Sequence, residues 1–158
     1  MNNENFLLRL QDNDGCSKSP TTKSGNWVAV LAGDGTAAGI NHRNPLIRFI
    51  GGTHGSLDRT SSAYLADYKD QTQVIASNES TAPFVCEVTI HNQNPNHVFA
   101  GHGQLKYSKD AGQTFQDVGQ ELHVGPTDEV DQYGDRIAVI GKNGQKLARY
   151  DTVTGTFS

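Results

Sequence analysis

Methionine and tryptophan occur once each in the 158 residues, cysteine twice and proline five times, and each scarcity excludes something. Cys16 and Cys86 lie far apart with no CxxC spacing, so neither a zinc site nor a disulfide framework is indicated. Two independent thiols are the favoured reading, with a single bridge between them as the alternative. No apolar run reaches the length of a membrane helix, and Phe6-Leu7-Leu8 is broken by Arg9, too early for a signal-peptide core. The chain is therefore expected to be soluble, not exported by the classical route and without a membrane partner. There is no basic run, and 13 basic against 17 acidic residues leave a net charge of −4, which argues against nucleic acid as the main partner. Helix-period apolar faces are also hard to find. A hydrophobic share of 35% with 17 glycines suits short strands joined by turns, an all-β chain.

What the chain does have is the stretch Ser108-Lys109-Asp110-Ala111-Gly112-Gln113-Thr114-Phe115, preceded by the alternating run Leu105-Lys106-Tyr107. It reads as strand, tight hairpin, strand. Asp110 can fold its carboxylate onto nearby backbone N–H groups, Gly112 tolerates positive φ at the bend, and Thr114 and Phe115 restart an extended segment. Ser-x-Asp-x-Gly-x-Thr-aromatic resembles the Asp-box, or BNR, pattern of sialidase-like β-propellers. That resemblance implies a structural hairpin between the third and fourth strands of a blade, formed by Ser108, Asp110, Gly112, Thr114 and Phe115, and it implies no reaction by itself.

A second regularity supports blades. Ile40-Asn41-His42-Arg43-Asn44-Pro45 lines up with Ile90-His91-Asn92-Gln93-Asn94-Pro95, and Phe49 and Gly51 match Phe99 and Gly101 at the same offset. After a two-residue slip, His54-Gly55-Ser56-Leu57 matches His102-Gly103-Gln104-Leu105, and Thr60 falls where Ser108 opens the box. The period of about fifty residues is that of propeller blades. Ser61-Ser62-Ala63-Tyr64 lacks the Asp and Gly of the box, so the first copy must turn differently. A weaker third echo runs from Arg136 to Gly141, turns through Lys142-Asn143-Gly144 and resumes at Leu147, with Gly155 at a further bend.

These repeats give a single domain over 1–158, with a partial blade at 1–35, repeats at 36–80 and 81–125, and a partial repeat at 126–158. In each repeat, Asn-Pro closes the first strand, the Phe-x-Gly run forms a buried second strand, and the box position links third to fourth. Gly51 and Gly101 are expected where neighbouring blades crowd together. Phe84, Val88 and Ile90, alternating with Glu87 and Thr89, imply one packed face and one more polar face. Residues 33–38 and 123–133 read as loops available for contact. About three to three and a half blades fall below the four to eight that close a propeller, so an incomplete ring is expected. Its open edges call for a protein partner or further copies of the chain.

Other candidate sites weigh less. In Asp12-Asn13-Asp14-Gly15 an EF-hand register would put Leu10 and Thr21 at ligand positions, so the tetrad reads as a turn. The six histidines show no HExxH spacing, and His54 and His102, each before a glycine, suggest a repeated structural hydrogen bond. No metal and no cofactor are expected. Trp27 reads as a core aromatic rather than a sugar platform, and Asn78-Glu79-Ser80 as a polar loop rather than a glycosylation site.

The family resemblance brings an enzyme hypothesis, a sialidase-like glycoside hydrolase with an arginine triad, a Tyr–Glu pair and an acid/base Asp. Arg43, Arg48, Arg59, Arg136 and Arg149 are present but lie in no recognisable arginine motif. Tyr107 and Tyr133 with Glu87 or Glu129 are the conceivable pairs. No catalytic residue is assigned on this basis. The favoured reading is a non-enzymatic structural or binding module in a larger assembly, with a virion or tail appendage as one instance. A fragment of a glycoside hydrolase or a glycan-binding propeller is the alternative.

Overall fold

The computed structural model describes residues 6–9, 15–18, 27–31, 33–62, 71–85, 87–118, 127–133, 136–141 and 147–157. These residues form fifteen short strands in four antiparallel sheets. The first sheet holds β1 (Phe6–Arg9), β2 (Gly15–Lys18) and β3 (Val28–Leu31). The second holds β4 (Ala37–Ile40), β5 (Arg48–Gly51), β6 (Leu57–Thr60) and β7 (Thr72–Ile75). The third holds β8 (Val88–Ile90), β9 (Val98–Ala100), β10 (Leu105–Ser108) and β11 (Gln116–Val118). The fourth holds β12 (Thr127–Tyr133), β13 (Arg136–Gly141), β14 (Leu147–Asp151) and β15 (Thr156–Phe157). Each sheet is an up-and-down meander in chain order. The first strands of the four sheets in chain order lie beside one another in series, β1 by β4, β4 by β8 and β8 by β12. Successive meanders arranged side by side in this way are the blades of a propeller, and here they form an incomplete ring.

The matched sequences fold alike for a visible reason. Asn41 Oδ1 accepts the N–H groups of Arg43 (3.0 Å) and Asn44 (2.9 Å), and the turn closes with Ile47 N–H on Asn44 O at 2.9 Å. In the next repeat His91 Nδ1 stands in for the asparagine oxygen, accepting from Gln93 N (3.2 Å) and Asn94 N (3.1 Å), while His97 N–H reaches Asn94 O at 2.9 Å. Side-chain acceptors of this kind hold a turn that the backbone alone leaves with spare donors. The two turns also touch, Asn41 Nδ2 donating to Pro95 O at 3.2 Å.

The core is three interfaces between consecutive sheets. Leu7 and Val30 meet Ile50 between the first and second. Ala37, Phe49, Leu57 and Ile75 meet Val88, Val98 and Ala100 between the second and third. Phe99, Leu105 and Tyr107 meet Tyr150 between the third and fourth, where the Phe99 and Tyr107 rings stack at 4.5 Å and Tyr150 packs edge-on at 5.4 Å from Tyr107. The period of two decides which interface a residue serves. Phe49 faces the third sheet and its neighbour Ile50 the first; Val98 and Ala100 face the second sheet and Phe99 the fourth. All of β5 and β9 is buried, so the Phe-x-Gly strands are packed on both faces.

Several expectations are corrected. Gly51 relieves a contact within its own sheet: a Cβ there would lie 2.8 Å from that of Ala37, its partner on β4. The close approaches between the second and third blades fall instead at Gly55, against His102, and at Gly112, against Phe49. Phe84 lies outside the strand and is exposed. Of residues 33–38, Ala37 and Ala38 belong to β4, and within 123–133 the stretch from Thr127 is β12. The turns at 12–14 and 142–144 lie outside the described residues. No helix among the described residues is long and apolar enough to cross a membrane.

Candidate functional site

The hairpin joining β10 to β11 is the most densely hydrogen-bonded point of the described chain, and it is built from the residues singled out in the sequence. Ser108, buried at the end of β10, donates its hydroxyl to Asp110 Oδ1 at 2.7 Å and accepts from the N–H groups of Asp110 (3.2 Å) and Gly112 (2.8 Å). Asp110 Oδ1 also accepts from Gln113 N and Thr114 N, both at 2.9 Å, and Oδ2 accepts the Thr114 hydroxyl at 2.6 Å. Burial alone would raise the Asp110 pKa, but the donors from Thr114, Ser108 and Gln113 outweigh it and bring the carboxyl down to about 2. Both carboxylate oxygens of Asp110 and the hydroxyls of Ser108 and Thr114 are thus engaged within the turn.

The hairpin is also wedged between sheets. Ala111 (φ 58°) and Gly112 (φ 77°) take the left-handed region, so the chain reverses tightly. Ala111 N–H then reaches Asn96 O at 2.8 Å on its own sheet, while Ala111 O accepts from Arg59 Nε of β6 at 2.8 Å. The Phe49 ring fills the space a Gly112 side chain would occupy, with Cε1 2.2 Å from where a Cβ would stand. Phe115 completes the contact, half-buried against the core between the second and third sheets. Sequence reasoning placed Phe49 and Arg59 in the preceding repeat and missed that both grip this turn. In that repeat Thr60 stands at the Ser108 position and accepts Ser62 N–H at 3.2 Å, the first bond of the same turn.

Among the described residues the remaining candidates are held at separate points of the fold. Arg48 is buried and donates from Nε to Pro45 O at 2.9 Å, Arg59 is held by Ala111, and Arg43 and Arg149 are exposed. The side chains of Arg136, Glu129 and Tyr133 lie outside the described residues. Tyr107 is 1% exposed, its pKa pushed up to about 12 by burial and then by Tyr150. Glu87 pairs with Arg9 at 3.2 Å, and Arg9 also donates to Thr36 O. The two histidines that matched in sequence differ in structure: His102 bonds Ala76 O at 3.2 Å, whereas the His54 ring packs edge-on against Phe84 at 5.3 Å. Among the described residues no group of three His, Cys, Asp or Glu is placed to hold a metal ion. Cys16 is a free thiol; Cys86 lies outside the described residues. Asn78 Oδ1 accepts from the Ser80 hydroxyl (2.7 Å) and N–H (3.2 Å), closing an exposed polar turn.

No protein-family model matches the chain, and no curated protein matches its sequence. Solved structures do match its fold. An ancestral GH74 enzyme superposes over 99% of this chain with a TM-score of 0.71 at 10% identity. The extracellular domain of a hybrid two-component system from B. thetaiotaomicron does so over 99% with a TM-score of 0.59 at 14% identity. At such identities the likeness speaks to fold alone: this is a chain of propeller-type blades. It spans 24% and 22% of the lengths of those two proteins.

Proposed function

We propose that the chain is a non-enzymatic structural or binding module, a run of propeller blades whose ring is completed by other protein within a larger assembly. The observation that carries this reading is the use to which the reactive side chains are put. Asp110 is saturated by its own hairpin, and Arg48 and Arg59 each donate to a backbone carbonyl that fixes a turn. Tyr107 is sealed in an aromatic stack. On this reading residues 108–115 are an Asp box in the structural sense, a clamp that ties the third blade to the second. A partner protein or further copies cover the open edges, and a virion or tail appendage is one setting that such a module suits. A glycan-binding role or a fragment of a glycoside hydrolase is the second reading, favoured by the likeness to the GH74 enzyme. Incubation with a fluorogenic sialoside and with fluorogenic β-glucosides separates the two. The module reading expects no turnover above a heat-denatured control; turnover that is lost in Glu87→Gln would overturn it.

A further inference from the structure

Among the described residues the first sheet has three strands where each of the others has four, and its register shows which position is unfilled. The pairing of β2 with β3 shifts between Gly15 and Cys16, the first two residues of β2. The pairing of β6 with β7 shifts at the same place, between Leu57 and Asp58. This puts β2 and β3 at the third and fourth positions of a blade and β1 at the second, where Phe6-Leu7-Leu8 aligns with Arg48-Phe49-Ile50 and Val98-Phe99-Ala100. Packing agrees, since Leu7, Phe49 and Phe99 each face the following sheet. Strand direction agrees as well. Arg9, at the end of β1, meets Thr36 just before β4 and Glu87 just before β8, so β1 runs opposite to the leading strands of the next two sheets.

Among the described residues no strand pairs with the edge of β1 away from β2, whereas β5 and β9 are paired along the same edge by β4 and β8. The face beside it is bare too. Ile50 and Ala100 are each 3% exposed, but their counterpart Leu8 is 43% exposed. Phe6 and Trp27, whose rings lie 6.2 Å apart, are both 46% exposed where Val98, the counterpart of Phe6, is sealed. An open strand edge flanked by an apolar face is a template for strand addition.

We infer that β1 takes up an extended segment of a partner polypeptide, added antiparallel along its free edge. The chemistry of that segment can be read from the strands already in the position. Opposite Ile50 and Arg48 stand Ala38 and Ile40, with Gly39 between; opposite Ala100 and Val98 stand Val88 and Ile90, with Thr89 between. The incoming strand is therefore apolar opposite Leu8 and Phe6 and small or hydroxylated opposite Leu7, with no acidic or basic residue among the three. This rests on the reading that other protein completes the ring, and names the edge and the chemistry of the contact.

The test uses the full chain and a synthetic peptide with the sequence of residues 87–96, read by amide hydrogen exchange in residues 6–9. Antiparallel addition slows exchange there at least tenfold in a peptide-dependent, saturable manner, and a peptide with Thr89→Pro, which removes a ladder N–H, gives none of this protection. As a second measure, the sequence of residues 87–97 replaces residues 1–5 ahead of Phe6, so that the donor strand is supplied within the chain. The same protection is expected there, with a raised melting temperature. Unchanged exchange at 6–9 in both formats would overturn the inference. If the native protein assembles in solution while residues 6–9 exchange as fast as in the separated chain, the assembly reading survives and strand addition at β1 falls.

Discussion

Replacing Gly112 with alanine tests whether the hairpin at 108–115 clamps two blades or merely decorates one. Two costs add. At φ 77° the residue sits in the left-handed region, where a Cβ costs about 1–2 kcal/mol. That Cβ would also stand 2.2 Å and 2.4 Å from Cε1 and Cζ of Phe49. The ring has no exposed surface and lies on a strand buried on both faces, so it has little room to swing. Forcing an extra carbon into such a site costs about 1–3 kcal/mol, giving roughly 3 kcal/mol in total. For a chain of this size that is a fall of about 6–12 °C in melting temperature, followed by circular dichroism. Gly33 is the control: at φ 89° it has the same backbone need, with no atom within 4 Å of its would-be Cβ, so Gly33→Ala should lose only the backbone term of about 1–2 kcal/mol. Adding Phe49→Leu to Gly112→Ala should recover part of the loss, a coupling of at least about 0.5 kcal/mol. If Gly112→Ala proves no worse than Gly33→Ala, or the double variant is simply additive, the contact between hairpin and preceding blade carries no energy and the clamp is refuted.

Further outcomes follow from the same geometry. Asp110→Ala removes acceptors for two backbone N–H groups and two hydroxyls and should cost about 2 kcal/mol in urea unfolding. Because the folded carboxyl is held at about 2, below its unfolded value of about 3.9, its stabilisation is complete above about pH 4 and is lost as the pH falls through 2. After solvent screening at this half-exposed turn the term is about 1 kcal/mol, and it should vanish from the stability profile of Asp110→Asn. His97 and His102 are lowered chiefly by burial, so their neutral forms favour folding. Stability should decline as the pH drops below about 6.5, the unfolded value, and His102→Gln should flatten that part of the curve. Arg59→Met keeps the aliphatic stem and deletes the bond to Ala111 O; a loss of about 1 kcal/mol is expected, and one below 0.3 kcal/mol would remove Arg59 from the clamp.

Much of this was legible in the sequence because local chemistry dictated it. Asp110 and Gly112 announce a turn by residue type, and the paired Asn-Pro motifs at 44–45 and 94–95 fold as twins despite an asparagine in one and a histidine in the other. Both residues offer a lone pair at the same reach. What stayed hidden depends on partners distant in sequence. Alternation marks Phe49 and Ile50 as apolar without saying that they serve different interfaces. Nothing local to Gly112 announces that Phe49 will fill its space, and the pairing of Gly51 with Ala37 turns a supposed contact between blades into one within a sheet. The place of β1 was hidden for the same reason: Phe6-Leu7-Leu8-Arg9 carries none of the motifs of its counterparts, and it is the bulge in the β2–β3 pairing, the side on which Leu7 packs and the direction of β1 that assign it to the second position.

The native mass in solution, measured by multi-angle light scattering across micromolar concentrations, bears most directly on the incomplete ring. An assembly larger than the 17.1 kDa chain, or a stable complex with a partner that shields Trp27 from iodide quenching, is the predicted result. A monomer that neither self-associates nor gains a partner, with the Trp27 emission of a buried indole, would contradict the account.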